Sequence, residues 1–442
     1  MSFGENLADL VAKSTNELHG KHTSWERVRL EDVAHLVNGF AFRSSAFNES
    51  EGTPIVRIRD VTSGSAGTLY RGPTDDPRMT FIEDGQIAIG MDGNFNSRLW
   101  SGGRALLNQR VCTVQADEEF YSQRLLSYAL PGYLRLINEH TSAVTVKHLS
   151  SFTVRDIPLP LPPINEQRRI VEKIDTLFAE LDKGEESLRQ VQTLLARYRQ
   201  SVLKAAVTEF TGSSETVRLG ELLEDIRYGT AKKCRAEVEG VPVLRIPNVV
   251  TGQIELEDLK FAELEEKELS RLSLTRGDVL LVRSNGSANL VGRTAVVDDR
   301  AAGMAFAGYL IRLRVDRNRI LPEFLHIVLN SPEVREKIER QARSTSGVHN
   351  INSTEVRAIE FELPTVATQS EIVEQLGEQV ANADLLEAAC IAELSRSAAL
   401  RQSILKDAFS GRLVPQDPHD EPASELLARI HRSQEAGRAA KR

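Results

Sequence analysis

The sequence predicts an α+β fold in which two similar globular domains of mixed α/β structure are joined by two long helices that form an antiparallel coiled coil. Blocks of sequence from the first half of the chain return in the second half. Each half begins with short apolar runs bounded by Gly and Pro, which are typical of strands. Each half ends in a heptad pattern of about forty residues, which is typical of a coiled coil.

The composition fits a globular protein. The chain has 442 residues, of which 41% are hydrophobic and 27% charged, and its net charge is −8. No apolar window reaches the roughly 18 residues of a membrane span, and the N-terminal residues lack the basic and apolar regions of a secretory signal. Cys112, Cys234 and Cys390 are too scattered for a disulfide framework or a metal site. We therefore expect a cytoplasmic protein with free thiols.

Matched blocks divide the chain into segments. GTPIVRIRDV (52–61) returns as GVPVLRIPNV (240–249), and EDGQIAIGMDGN (83–94) has a looser match in TRGDVLLVRSNG (275–286). The offset grows from 189 (28 to 217) to 202 (147 to 349), which indicates duplication followed by divergence. The predicted segments are an N-terminal helical segment over 1–24, a globular domain over 25–158, a central helix over 159–212, a second globular domain over 213–360, a C-terminal helix over 361–410 and a tail over 411–442.

Within each globular domain, a strand-rich portion comes first and a helical portion follows. Residues 55–58 and 243–246 are predicted as matching β runs, and residues 121–139 and 322–341 as matching helical segments. His148 and His349 occupy nearly equivalent repeat positions, next to the long helices.

Each long helix follows a Leu-Pro pair, because proline is tolerated before or in the first turn of a helix but not inside it. The stretches LPLPPINEQRRIVEKIDTLFAELD (159–182) and FELPTVATQSEIVEQLGEQVANAD (361–384) both reach a Gln and then Ile-Val-Glu. In the first helix the predicted seam steps alternately by four and three residues, broken at Gly184: Ile170, Ile174, Leu177, Leu181, Leu188, Val191, Leu195, Tyr198 and Val202. An offset of 202 gives the apolar seam residues of the second helix: Ile372, Leu376, Ala383, Leu386, Cys390, Leu400 and Ile404.

Two separate amphipathic helices, each packed on its own domain, are the alternative to a coiled coil. A small domain cannot easily bury forty residues of seam, so we favour paired helices that span about 60 Å at 1.5 Å per residue. Their length would set how far apart two similar domains are held.

The order of blocks resembles the specificity subunit of Type I restriction-modification systems, over nearly the whole chain. The resemblance is carried by IGMDGNFNSRLW (89–100) with LLNQRV (106–111), by LPLPPINEQRRIVEKID (159–175) and by LKDAFSGRLVPQDPHDEPASELLARI (405–430). It implies that the globular domains are target recognition domains, each reading one half of a split sequence in double-stranded DNA, with the coiled coil setting the gap. It also implies two docked modification (methyltransferase) subunits, which bring S-adenosylmethionine, and restriction (ATP-dependent translocase and nuclease) subunits, which bring ATP and Mg²⁺.

Polar loops between the framework blocks supply the candidate DNA contacts. Arg suits guanine and Asn suits adenine in the major groove. The candidates are Arg43, Arg59, Asn94, Asn96, Arg98, Arg104, Lys147 and His148 in the first domain, and Lys232, Lys233, Arg235, Arg245, Arg283, Ser284, Asn285, Arg293, Arg343, His349 and Asn350 in the second. The alternative for each is a solvated charge, a turn residue or a structural ion pair.

Charge alone does not predict strong DNA binding. Residues 25–158 hold 14 Lys and Arg against 16 Asp and Glu, and residues 213–360 hold 22 against 23. Non-specific attraction to phosphates should therefore be modest, and the modification subunits would supply much of the DNA clamp.

The chain has no recognisable catalytic motif. The phosphate-binding GxxxxGK[ST] motif, an NPPY- or DPPY-like tetrapeptide and the zinc motif HExxH are absent from the sequence. We predict a non-catalytic subunit that holds no cofactor or metal. A scaffold with twin protein-binding domains and a stand-alone specificity-like decoy or regulator are the alternatives. A final helix over residues 424–436, closing back near residues 5–18, is also predicted.

Overall fold

The computed structural model describes residues 6–142, 146–208, 214–237, 239–345 and 348–440. These residues form two compact units. The first unit comprises residues 1–186 with 394–442, and the second comprises residues 187–393.

The helices and strands are as follows. The helices are α1 (Leu7–Lys13), α2 (Leu30–Val33), α3 (Ile58–Ser63), α4 (Gln123–His140), α5 (Ser151–Arg155), α6 (Ile164–Thr208), α7 (Glu266–Leu272), α8 (Pro322–Asn330), α9 (Pro332–Gln341), α10 (Ser353–Arg357), α11 (Val366–Phe409) and α12 (Ala423–Ala440). The strands of the first unit are β1 (Glu26–Arg29), β2 (Ala34–Asn38), β3 (Phe47–Asn48), β4 (Thr53–Val56), β5 (Leu69–Tyr70), β6 (Phe81–Ile82), β7 (Ile87–Gly90), β8 (Ser97–Leu99), β9 (Ala105–Leu107), β10 (Val111–Ala116) and β11 (Pro158–Leu161). Those of the second unit are β12 (Ser214–Arg218), β13 (Leu223–Tyr228), β14 (Val241–Leu244), β15 (Lys260–Ala262), β16 (Val279–Val282), β17 (Ser284–Asn285), β18 (Thr294–Val296), β19 (Ala305–Phe306), β20 (Leu310–Val315), β21 (Arg343–Thr345), β22 (Val348–Asn350) and β23 (Glu360–Pro364).

The two units repeat one sheet topology. In the first unit the strands lie in the order β2-β10-β7-β8, and in the second in the order β13-β20-β16-β18. Each unit also has a parallel pair, β4 with β9 and β14 with β19. An antiparallel pair brings the chain back to its long helix, β1 with β11 in the first unit and β12 with β23 in the second.

The β runs at the matched blocks end earlier than predicted. β4 ends at Val56 and β14 ends at Leu244, so Arg57 and Arg245 follow the strands and precede helical turns. Both arginines therefore lie at the carboxyl edge of a parallel pair instead of within a sheet.

The helical segments of the two units differ. α4 is continuous and carries Pro131 inside it, whereas the segment predicted over 322–341 is two helices that meet at Ser331. Pro332 is the first residue of α9, where a missing N–H costs nothing.

The long helices α6 and α11 lie within the predicted segments 159–212 and 361–410, and each begins five residues after the predicted start. In the first unit, the start of α6 packs against the end of α11: Ile174 and Ile404 share one core, and Arg401 pairs with Asp182 at 2.6 Å and with Glu185 at 3.1 Å. The two helices are therefore antiparallel there.

The second unit shows the same pairing with the helix ends exchanged. Val202 of α6 lies against the core that contains Leu376 of α11. Arg199 forms ion pairs of 2.6 Å with both Asp384 and Glu387. The prediction of an antiparallel coiled coil therefore agrees with the contacts inside each unit.

A coiled-coil seam has two positions in each heptad. One of the two predicted positions agrees with the structure along both helices, and the other is displaced by one residue over much of their length. Buried or half-buried heptad residues match the prediction at positions 174, 181, 188, 195 and 202 of α6 and at 376, 383, 390, 397 and 404 of α11. Val191, Tyr198, Leu386 and Leu400, which were predicted in the seam, are 38%, 46%, 55% and 47% exposed. The intervening seam positions are instead Phe178, Glu185, Gln192 and Arg199 in α6 and Val380, Glu387, Leu394 and Arg401 in α11.

The error has a physical cause. Several of these intervening positions are charged and make ion pairs between the helices, as Glu185 and Arg401 do. A register chosen by apolarity passes over them and selects the apolar neighbour one residue away. The remaining predicted seam residues, Ile170, Leu177 and Ile372, are buried or half-buried.

The C-terminal tail belongs to the first unit. α12 is longer than the predicted segment 424–436, and it packs on β1 and α2. Leu426 and Ile430 of α12 belong to the same hydrophobic core as Leu7, Leu10 and Leu18, which agrees with the prediction that this helix closes back near residues 5–18. The segment before α12 also reaches that region, because Arg412 pairs with Glu17 at 3.1 Å.

Candidate nucleic-acid interface

An open depression of about 600 Å³ lies in the first unit, where three turns meet. One turn follows β4, one follows β7 and one joins β9 to β10. They meet because β4 and β9 are parallel neighbours, while β7 and β10 are antiparallel neighbours. The polar residues that line the depression are Arg57, Arg59, Thr62, Asp92, Asn94, Asn96, Asn108 and Arg110.

Sequence reasoning found part of this lining. Arg59, Asn94 and Asn96 were predicted as DNA contacts, whereas Asn108 and Arg110 were missed. The signal was present, because Asn108 and Arg110 lie in LLNQRV, a block singled out for its resemblance to the family. Such residues look like framework in the sequence, and the fold places them at the edge of a sheet.

Arg110 is held by two groups that lie far from it in the sequence. Its Nε lies 3.5 Å from Oδ2 of Asp92, and its Nη1 lies 3.5 Å from Nδ1 of His148. The His148 Nδ1 in turn lies 2.6 Å from Oδ1 of Asp92. Half of the Arg110 side chain stays exposed, so it is oriented by the carboxylate and keeps donors free for a ligand.

The other polar groups of this face are partly engaged with the protein. Arg59 Nη2 donates to Thr68 Oγ1 at 2.7 Å. Asn96 Nδ2 donates to Thr62 Oγ1 at 3.1 Å, and Arg98 Nη1 donates to the Thr62 carbonyl at 2.6 Å. These bonds order the side chains, all three of which remain exposed.

Two further candidates have structural partners that account for them without DNA. The guanidinium of Arg104 lies 4.3 Å from the centre of the Phe81 ring and pairs with Glu83 at 3.2 Å. Lys147 Nζ donates to the Asn138 carbonyl at 2.5 Å. Arg43 is exposed at the start of a 3₁₀ turn.

A second depression, of about 620 Å³, lies in the second unit beside the parallel pair β14 and β19. Like the first, it is lined by the turns that follow the two parallel strands, but its third side is the turn after β13 and not the turn after β16. Lys232, Lys233 and Arg245, which were predicted as DNA contacts, line it together with Tyr309, which was not among the predicted residues. Tyr309 is 62% exposed. The depression therefore combines basic groups with an exposed aromatic ring.

Arg245 is the best-anchored of these residues. Its Nη2 donates to the carbonyl and to Oδ2 of Asp258, at 2.7 and 2.8 Å. The hydrogen bond from Arg245 holds the pKa of the Asp258 carboxyl below its usual range. The ion pair that the sequence left open for this arginine is thus present. Lys232 is also paired, with Glu268 at 3.3 Å.

Four candidates of the second unit share an unusual feature. A side-chain nitrogen of each is buried and has no hydrogen-bond partner among the described residues; the atoms are Nε of Arg245, Arg283 and Arg293 and Nδ1 of His349. The Arg283 guanidinium also lies 4.6 Å from the centre of the Tyr228 ring. Unsatisfied buried polar atoms are costly, but the same condition holds for Nε of Arg312 and the hydroxyl of Tyr121, which were not candidates, so it does not by itself mark a DNA contact.

The other candidates of the second unit take part in strands and turns. Ser284 and Asn285 pair with Asn350 and His349 between β17 and β22, and the Asn285 side chain accepts from the Ser287 N–H at 2.8 Å. The backbone of Arg235 forms a bridge with that of Phe261. The list of predicted contacts ends with Arg343, which begins β21 and whose side chain lies outside the described residues.

Similarity to known proteins identifies the family. A family sequence model described as the Type I restriction modification DNA specificity domain matches residues 23–190. The chain is 35% identical over 445 residues to the EcoBI specificity subunit of Escherichia coli, covering 94% of this chain and 92% of that protein. This chain belongs to the Type I restriction enzyme specificity subunits. It is also 31% identical over 419 residues to the Escherichia coli EcoKI specificity subunit, covering 89% and 90%.

Solved structures confirm the fold class expected for a Type I specificity subunit. A chain from a structure on complex assembly and conformational transition of the type I R-M system has a TM-score of 0.68 at 20% identity, covering 88% of this chain and 98% of that one. The HsdS subunit from Thermoanaerobacter tengcongensis has a TM-score of 0.50 at 21% identity, covering 89% and 98%. Family membership supports the predicted role in DNA recognition and not the protein-scaffold alternative.

The hydrogen-bond pattern aligns the two units of this specificity subunit residue by residue. The Met91 N–H donates to the Arg110 carbonyl at 2.9 Å, and the Arg283 N–H donates to the Tyr309 carbonyl at 2.9 Å. Arg110 and Tyr309 therefore occupy equivalent positions. His148 bridges to Asp92 as Asn350 pairs with Ser284, so Asn350, and not His349, is its counterpart.

No helix among the described residues is long and apolar enough to cross a membrane. In the same part of the chain, no group of three or more His, Cys, Asp or Glu side chains could hold a metal ion.

Proposed function

We propose that the two units of this specificity subunit each read one half of a bipartite sequence in double-stranded DNA. One observation carries the proposal: beside the equivalent parallel pairs of two units with the same topology lie depressions, lined by arginine and asparagine side chains in the first unit and by arginine and lysine side chains in the second. A parallel pair repeated in both units, but flanked by different side chains, suits two readers of different half-sites.

Arg110 is the proposed guanine reader of the first unit. A guanidinium can donate two bonds to O6 and N7 of guanine, and such a pair contributes about 1–3 kcal/mol of discrimination. Asp92 orients it. In the second unit, Tyr309 takes the place equivalent to Arg110 and Arg245 lines the same depression, while Lys232 and Lys233 supply contacts to phosphates.

The long helices set the gap between the half-sites and dock two modification subunits. α6 has 45 residues, which corresponds to about 68 Å at 1.5 Å per residue. The modification subunits bring S-adenosylmethionine, and restriction subunits, where present, bring ATP and Mg²⁺. The chain itself is non-catalytic and works in the cytoplasm.

Footprinting tests this proposal. The chain is purified with its modification partner, and its protection of duplex DNA is mapped at nucleotide resolution. We expect two short protected stretches separated by an unread gap. Protection of one continuous site, or of none, would refute bipartite reading.

A further inference from the structure

A buried glutamine joins each globular portion to its long helix. Gln167 is the fourth residue of α6, Gln369 is the fourth residue of α11, and neither has any exposed surface. Each lies in the first turn, where helix N–H groups lack helical partners. Neither side chain faces a depression described above.

In the first unit, the Gln167 amide bridges three elements. Nε2 donates to the carbonyls of Phe120 (3.1 Å) and Pro162 (3.0 Å), and Oε1 accepts from the Ser122 N–H (2.8 Å). Ser122 is the N-cap of α4, and Pro162 follows β11 directly. One side chain thus ties the start of the long helix to the domain's own helix and to its last strand.

The second unit repeats this arrangement bond for bond. Gln369 Nε2 donates to the carbonyls of Arg319 and Pro364, both at 2.9 Å, and Oε1 accepts from the Leu321 N–H at 2.8 Å. Leu321 is the N-cap of α8.

The residues next to the two glutamines differ between the first and second units. Glu166 and Arg168 flank Gln167, whereas Thr368 and Ser370 flank Gln369. The two copies thus retain the side chain that bridges the elements while the residues beside it differ. Stabilisation of the fold alone does not require one amide to reach both elements, because each could be capped by its own residues.

We propose that Gln167 and Gln369 are positioning residues that fix the direction in which each long helix leaves its recognition domain, and with it the gap between the half-sites. The inference rests on the proposed bipartite reading. One base pair more or less moves a half-site by about 3.4 Å along B-DNA and turns it by roughly 35°. A gap can therefore be selected to one base pair when the joints between domains and helices are stiff.

Each long helix also makes other contacts with its own domain near the buried glutamine, and these contacts differ between the two units. In the first unit, Glu166 accepts from the Trp25 indole N–H at 3.0 Å, and Asp175 of α6 pairs with Arg124 of α4 at 2.9 Å. At an offset of 202, the counterparts of Glu166 and Asp175 are Thr368 and Gly377. The Thr368 hydroxyl bonds instead to the hydroxyl of Thr365 at 3.1 Å, and Gly377 has no side chain that could form an ion pair. Loss of Gln369 should therefore loosen its joint more than loss of Gln167.

The test uses the complex of the full chain with its modification partner. Gln369→Met and Gln167→Met keep the side-chain volume and remove the hydrogen bonds. Gln369→Glu keeps the acceptor and removes the donors, and serves if the methionine variant does not assemble. The matched control is Gln123→Met, because Gln123 is also buried and its amide bonds Ala116 N–H, Gly85 O and Val114 O, all within the first domain.

Initial methylation rates are measured on duplexes whose gap is native or differs by one or two base pairs. We expect the preference for the native gap over its one-base-pair neighbours to fall about tenfold in Gln369→Met. The fall should be smaller in Gln167→Met and absent in Gln123→Met, with the base preferences inside both half-sites unchanged. An unchanged gap preference in both Gln369 variants, or an equal fall in the Gln123 control, would overturn the inference.

These outcomes are separate from a failure of the proposed function. If the unaltered complex shows no gap preference, bipartite reading itself is wrong. If the unaltered complex selects its gap and the Gln369 variants select it equally well, only the positioning role is wrong.

Discussion

At the scale of single residues, the side chains that line the depressions are oriented by their protein partners but keep exposed hydrogen-bonding groups. Asp92 contacts Arg110 at 3.5 Å, and half of the Arg110 side chain stays exposed. A surface ion pair of this kind adds little to stability, about 0–1 kcal/mol. Its effect is to restrict the arginine to few rotamers, which lowers the entropy lost when a base is bound.

Arg110→Ala should relax one base position of one half-site. The bidentate contact to guanine is lost, so discrimination at that position should fall by about 1–3 kcal/mol, or roughly 5- to 150-fold. Sequencing of methylated DNA from cells that express the complex measures the change. Arg29→Ala is the control, because the Arg29 side chain is equally exposed at 51% and pairs with Asp32. An unchanged motif, or changes in both half-sites, would contradict the assignment.

At the scale of elements, the long helices combine an apolar heptad with a charged one. Leu195 and Ile404 are buried at apolar positions, while Arg199 and Arg401 make ion pairs at the positions between. Burial of the apolar residues supplies the stability, since exposed ion pairs contribute little. The charged pairs instead favour one register and the antiparallel direction.

The corrected seam predicts different costs for two neighbouring residues of α11. Ile404→Ala removes a side chain that is 7% exposed and should lower the free energy of unfolding by about 2–4 kcal/mol. Leu400→Ala removes one that is 47% exposed and should change it by less than about 0.5 kcal/mol. Urea denaturation of the full chain measures the free energy of unfolding of both variants. Equal decreases would support the register predicted from apolarity and contradict the observed one.

The start of α6 carries a buried carboxyl that makes stability depend on pH. Glu166 is 1% exposed, and burial raises its pKa above the usual value, although hydrogen bonds from Trp25 and Gln416 oppose the shift. Because the folded state binds the proton more tightly, the contribution of this group to stability is full below pH 4.5 and is lost as the pH rises through the raised pKa.

Glu166→Gln removes this dependence. The free energy of unfolding of the unaltered chain, minus that of the variant, should fall as the pH rises above 4.5 and through the raised pKa of Glu166. Urea denaturation at several pH values measures the difference. A constant difference, or one that rises with pH, would contradict the role assigned to burial.

At the scale of the whole molecule, the chain is a duplication in which each copy keeps one topology and one helix joint while its edge residues differ. Arg110 and Tyr309 show the contrast most simply, because they share a hydrogen-bond pattern and differ in chemistry. Such a design lets the target change in one half without a change to the frame.

Exchange of residues 213–360 for the same domain of another specificity subunit should change one half-site only. The candidate contacts of the second unit all lie in this range. Methylation sequencing of host DNA measures the new motif. A change in both half-sites would show that the two domains do not read independently.

Insertion of one heptad into each long helix should lengthen the gap. Seven residues add about 10.5 Å, which corresponds to roughly three base pairs. The insertions belong next to Glu185 and Ser397, whose side chains hydrogen bond at 2.8 Å, so that the seam stays in register. Measured methylation on duplexes with longer gaps should peak at the new length, and a peak at the old length would exclude the helices as its determinant.

The repeat, the strand-rich domains and the spans of α6 and α11 could all be predicted from the sequence. These features arise from local periodicity, from proline and glycine, and from a comparison of the chain with itself. The heptad residues Ile174, Leu195 and Ile404 were likewise predictable, because apolar residues at every seventh position have no other stable place in a long helix.

Only the tertiary structure decided which side chains meet. Arg110, Asp92 and His148 come from different turns, and they converge because β7 and β10 are antiparallel neighbours and Asp92 forms a backbone bridge with His148. The charged seam positions and the bridging amides of Gln167 and Gln369 could not be predicted from the sequence either. A polar residue is judged exposed in a sequence until its buried partner, far away along the chain, is known.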